Sequence, residues 1–212
     1  LITKAIITLS HLGFRIINNN KHFLIFLNQV HLLHWLIFIN LQLFAGSKEK
    51  WQEWVTKANL LETSFYVGDT SNVDAKQLFS AAAELSHKPL DQFLREFGRF
   101  IAPNLIAQFS NYIDKKWDLF DFLEHTEEYI HKEVRTQIPG TNPPILHSMR
   151  LDKDRVSIHY ISHLKICAFA EGLLEKAADG YNEKITITQP KCMLKGDPEC
   201  KILVTRNISE IS

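Results

Sequence analysis

Residues 128–144 read Glu-Tyr-Ile-His-Lys-Glu-Val-Arg-Thr-Gln-Ile-Pro-Gly-Thr-Asn-Pro-Pro. Ile130 and Val134 continue an apolar stripe that begins at Phe122 and Leu123 and passes through Thr126, a helical spacing. The prolines at 139, 143 and 144 close that helix. Helix-forming segments lie before this exit and alternating segments after it. The chain therefore reads as α+β, an N-terminal helical part followed by a mainly antiparallel four-stranded sheet with one packed helix.

Downstream, Ile145–Leu151 and Arg155–Ser162 alternate like strands around an Asp152-Lys153-Asp154 turn. Leu164–Ala178 reads as a helix with Ala168, Ala170, Gly172 and Leu173 as a face of mostly small residues. Lys184–Lys191 and Cys200–Thr205 supply two further strands. Upstream, Leu119 opens the helix that carries His131. Leu90–Phe109 is a helix that Pro103 is expected to break or restart. Val73–Leu85 is another helix, Leu61–Asn72 a loop, and Ser47 the cap of a helix carrying Trp51 and Trp54.

The 24 basic and 24 acidic residues cancel, which gives no reason to expect a nucleic-acid partner. Between Lys21 and Lys48 there is no charged residue. This run matches the roughly 20 apolar residues of a membrane span, but Asn28, Gln29, His31, His34, Asn40 and Gln42 interrupt it. Three readings compete: a membrane span over 21–44, a signal peptide ending near Gly46, or a first buried helix over Trp35–Phe44 preceded by an appended segment. The third sets the expected organisation, with 1–33 as a leader, anchor or upstream translation and 34–208 as the domain. The expected location is cytoplasmic, with membrane association through 21–44 as the variant.

Three constellations bear on chemistry. His131 lies on the flank of its helix stripe, close to Phe120 and Glu127 in projection. A lone histidine there is more often a satisfied surface residue than a ligand. His125 sits on the polar side of the same helix, and Glu127, Glu128 and Glu133 read as a solvated face. Tyr160 and Ser162, alternate residues of one strand, present two hydroxyls in one direction. Cys167, Cys192 and Cys200 are odd in number, and their spacing leaves open a zinc site, a Cys192–Cys200 disulfide or three inert thiols. No phosphate loop or nucleophile elbow is present, so an enzyme is not expected.

Tyr129-Ile130-His131 is followed thirteen residues after the histidine by Pro144. Then come Tyr160-x-Ser162 and Cys192-x-x-x-Gly196-Asp197-x-x-Cys200, with Phe97-Gly98-Arg99-Phe100 upstream and Ala168-Phe169-Ala170-Glu171-Gly172-Leu173-Leu174 between them. This order resembles the heme nitric oxide/oxygen binding (H-NOX, HNOB) family over about Trp35–Val204, and most closely its bacterial stand-alone branch with a C-terminal cysteine cluster.

The resemblance implies heme b, with His131 as proximal iron ligand, Pro144 pressing on the porphyrin, and Tyr160 and Ser162 holding propionates. It implies zinc on Cys167, Cys192 and Cys200. It further implies a nitric oxide sensor, not an enzyme, that signals to a histidine kinase or to a cyclic-di-GMP enzyme (diguanylate cyclase or phosphodiesterase). Phe169 stands where oxygen-binding members carry a tyrosine, which favours nitric oxide. Two positions depart from the pattern. Leu164 replaces the arginine of Tyr-x-Ser-x-Arg, and Gln189 replaces the histidine ligand of the zinc site. The alternatives are a heme-free homologue that senses through zinc or thiol oxidation and a membrane-attached interaction protein.

Overall fold

The structure is a computed structural model that describes residues 32–61, 72–137 and 142–207. Residues 1–31 of the appended segment expected over 1–33, most of the 61–72 loop and residues 138–141 of the proline exit lie outside the described residues.

Among the described residues, four helices build the N-terminal half: α1 (Leu32–Ala45), α2 (Lys48–Lys57), α3 (Asn72–Leu85) and α4 (Leu90–Gln108). Phe38, Ile39, Asn40, Leu41 and Gln42 of α1 are all buried, so the described end of the uncharged run packs inside the protein. Among the described residues no helix is long and apolar enough to cross a membrane. The Ser47 side chain accepts from the Lys50 N–H at the start of α2, as expected of a cap worth about 1 kcal/mol. Helix α2 buries Trp51, Trp54 and Val55 on one side. Phe44 meets Phe93, Phe97 and Phe100 with ring centroids 5.5, 5.5 and 5.2 Å apart, giving this half an aromatic core.

Pro103 does not break α4. The helix runs unbroken from Leu90 to Gln108. Proline costs a helix one N–H bond to the residue four positions back, here Arg99. Pro103 lies on the exposed side, where water can satisfy that carbonyl, while Ile101 and Ala102 hold the other side in the core.

The C-terminal half begins with α5 (Leu119–Thr126), continues through a π-helical turn (Glu127–His131) into α6 (Lys132–Gln137), and then enters the sheet. Strands β1 (Ile145–Asp152), β2 (Arg155–Ile161), β3 (Ile185–Lys191) and β4 (Cys200–Arg206) form one antiparallel sheet in the order β1-β2-β4-β3. Leu146, Tyr160 and Cys200 sit side by side across three strands. Val156, Ile158, Tyr160, Cys200, Ile202 and Val204 alternate onto the covered face and are buried with Leu119, Phe120, Phe122, Leu123, Ile130 and Val134.

Helix α7 (Cys167–Gly180) starts three residues later than the sequence suggests. Lys165, with φ of +54°, occupies a turn before it. This helix joins the halves, placing Phe169 in the first core and Cys167, Ala177 and Ala178 in the second. Its contact with α4 is backbone to backbone. A Cβ at Gly98 would come 2.3 Å from the Phe169 carbonyl oxygen, and one at Gly172 2.1 Å from that of Arg95. Charges rim the seam. Arg95 pairs with Glu171 and with Glu175 (2.6 Å), and Arg99 with Glu175 and Asp179 (both 3.0 Å).

Candidate functional site

His131 is the last residue of the π turn, a rare widening of the helix that recurs at functional sites. The Lys132 N–H closes the turn onto the Glu127 carbonyl, five residues back. One turn earlier the Thr126 hydroxyl donates to the Phe122 carbonyl at 2.6 Å, a side-chain bond that loosens helical geometry.

The imidazole is largely buried, and its Nδ1 lies 3.3 Å from Glu127 Oε2. That is ion-pair distance without hydrogen-bond alignment, so Nδ1 is an orphaned buried atom. Glu127 is not part of a solvated face. Its carboxylate accepts from the Leu146 N–H at 3.0 Å and from Arg135. Burial pushes the Glu127 carboxyl up, but His131, the Leu146 N–H and Arg135 together outweigh it and hold the pKa at about 2. Charge-assisted bonds of this kind fix a side chain firmly.

Sequence reasoning sets Glu127 beside His131 and still reads it as solvated. The i,i+4 relation is the available signal; the Leu146 contact, across the prolines, has none. The competing His125 stacks on Trp117 at 4.8 Å and meets Tyr129 edge-on at 5.4 Å, so its ring is already engaged.

Tyr160 is 2% exposed. Burial raises its phenol pKa, and the neighbouring Cys167 and Cys200 push the same way against the Ser162 side chain. Ser162 lies just beyond the end of β2, so the two hydroxyls are not strand alternates. They still converge, because Ser162 reaches the Tyr160 phenol. The Ser162 oxygen also accepts from the Leu164 N–H at 3.3 Å. Pro144 is half-buried, directly before β1. Register and hydrogen bonding thus set His131, Glu127, Leu146, Tyr160 and Cys200 in one row of neighbours.

The three cysteines converge. Cys167 opens α7, Cys192 follows β3 and Cys200 begins β4, and their sulfurs all lie within 4.8 Å of one another. Cys167 and Cys192 are 3.8 Å apart, and none is in a disulfide. Burial pushes the Cys200 thiol up to about 12 and raises that of Cys167, where the Gln189 side chain opposes the shift. On the other side of α7, Phe169 packs on Phe97 at 5.6 Å in an apolar core.

The Haem-NO-binding (HNOB) family profile matches residues 39–189. The chain belongs to this family. Solved H-NOX structures share its fold. The H-NOX protein from S. oneidensis in its Fe(II)NO ligation state is 23% identical, with a TM-score of 0.74 over 82% of this chain and 99% of that one. The Fe(II) unliganded H-NOX protein from K. algicida is 18% identical, with a TM-score of 0.73 over 85% and 98%. A point mutant of the T. tengcongensis H-NOX is 22% identical, with a TM-score of 0.57 over 68% and 78%. No curated protein sequence matches the chain. Family membership and the H-NOX fold agree with the α+β plan and with the order of motifs in the sequence.

Proposed function

We propose that the chain is a heme-based nitric oxide sensor domain and not an enzyme, in which His131 would hold the iron of heme b. The observation that carries this is the largely buried imidazole on a π turn, with Nδ1 set against Glu127. A carboxylate that accepts from one ring nitrogen is the usual support of a metal-bound histidine, and Glu127 Oε2, 3.3 Å from Nδ1, is near enough to take that role. Nε2 is the nitrogen left to coordinate iron. Heme supplies a binding position for a diatomic gas. Tyr160 and Ser162 would hold propionate, and Pro144 would stand against the porphyrin. The clamp lacks a cation because Leu164 carries none. The apolar setting of Phe169 supplies no hydroxyl at its position, which favours nitric oxide over oxygen.

The chain's own bonds supply a route outward. Glu127 ties the His131 turn to the backbone at the head of β1, so a change at the imidazole is felt by the sheet and by any partner that reads it. A histidine kinase or a cyclic-di-GMP enzyme is the proposed partner. The test is the absorption spectrum of anaerobically reduced protein with and without nitric oxide, beside His131→Ala. A Soret band that shifts with nitric oxide and is altered in the variant is expected. An unchanged spectrum in the variant would remove His131 from the role.

A second reading rests on the cysteine cluster together with Leu164: a heme-free homologue that acts through its thiols or a bound ion. The cluster offers zinc the right donor atoms and one too few. Failure of hemin to produce a Soret band with the purified chain would favour this reading.

A further inference from the structure

We infer that, with the ion that the family resemblance implies on Cys167, Cys192 and Cys200, the fourth coordination position is open in this chain to a small exogenous donor. The inference rests on the metal reading of the cysteine group and is independent of heme.

The spacing fits an ion better than a disulfide. A tetrahedral ion with bonds of about 2.3 Å holds its sulfurs roughly 3.8 Å apart, and Cys167 Sγ and Cys192 Sγ are 3.8 Å apart. A disulfide needs about 2 Å. The framework that presents the thiols is built by the protein itself. Asp197 accepts from the Cys192 N–H at 2.8 Å, and the Lys195 N–H donates to the Cys192 carbonyl at 2.8 Å. Gly196, at φ +97°, makes the turn between them. The Met193 N–H donates to Cys200 Sγ at 3.3 Å, a bond that supports a coordinated thiolate.

The fourth position has no such provision. Among the described residues no histidine, carboxylate or further cysteine joins the three. The side chain that approaches is Gln189, beside Cys167. Its amide nitrogen is buried with no partner besides the neighbouring Cys167 thiol, and an amide N–H₂ donates hydrogen bonds and cannot coordinate. It is suited to hold a thiolate, or a donor atom arriving at the ion. Closed zinc sites carry four protein ligands, whereas three protein ligands leave a position for exchange.

Cadmium stands in for the divalent ion in the test. Cadmium NMR of the full chain should show one bound ion, lost in Cys192→Ala, whose resonance moves when imidazole or cyanide is added. In Gln189→His the resonance should stay fixed, with affinity higher by about tenfold or more. Gln189→Glu, closer in size to the native residue, should likewise fix the resonance and serves if the histidine variant does not fold. A wild-type resonance indifferent to both added donors would overturn the open position while leaving the metal in place. No bound cadmium, or binding indifferent to Cys192→Ala, would overturn the metal site itself.

Discussion

Glu127 holds the His131 turn against β1, and its ionisation sets when that hold is lost. Its folded pKa of about 2 lies below the ordinary 4.5. The stabilisation is therefore fully present above pH 4.5 and disappears as pH falls through 2. Glu127→Gln should lower stability at pH 7 by about 1–3 kcal/mol. It should also flatten the acid limb of a denaturation series measured between those pH values. An unaltered limb would show that other carboxylates dominate it. In the heme site proposed above, Leu164→Arg should add a cation beside the propionate contact and slow heme transfer to apomyoglobin. An unchanged transfer rate would mean that the turn at Lys165 carries position 164 away from the clamp. His131, Tyr160, Ser162 and the cysteines are legible because their order and spacing form a pattern. The Glu127 contact is not, because it depends on a strand nineteen positions further along.

The helices and strands are largely legible from apolar periodicity, and the misreadings each have a local cause. Proline at 103 argues for a break in α4, but the helix keeps its buried side and exposes the ring. The sequence starts α7 too early because Leu164 stands at helical spacing from Cys167 and Ala168, while Lys165 takes a left-handed conformation. No residue pattern announces the π turn, whose hydrogen bonds replace α-helical ones without changing composition. The glycine seam is legible in part, as a face of mostly small residues on α7 and as Gly98 on α4. Gly172→Ala should place a methyl 2.1 Å from the Arg95 carbonyl oxygen, forcing the helices apart at a cost of about 1–3 kcal/mol. The same change at Gly180, where a Cβ meets nothing within 4 Å, should be close to neutral. Chemical denaturation of the two variants distinguishes them, and equal losses would rule out the backbone contact as the cause.

At the scale of the molecule the described residues form two buried cores, one of four helices and Phe169, the other of the sheet with α5, α6 and parts of α7. Joined well, they should melt together, so calorimetry of the wild type should show one transition. Gly98→Val should loosen the joint and divide the melt into two, each half retaining its own core. A single, uniformly lowered transition would instead mean that the halves depend on each other beyond the seam. The seam also limits how the halves move. Where main chain rests on main chain there is no rotamer to change and no gap to compress. Helices α4 and α7 cannot approach further without displacing backbone. The Arg95 and Arg99 ladder sets three carboxylates beside the two guanidinium groups along the seam. The distance between α4 and α7 is set by the backbone itself, and the ion pairs along the rim fix which residues of one helix face the other.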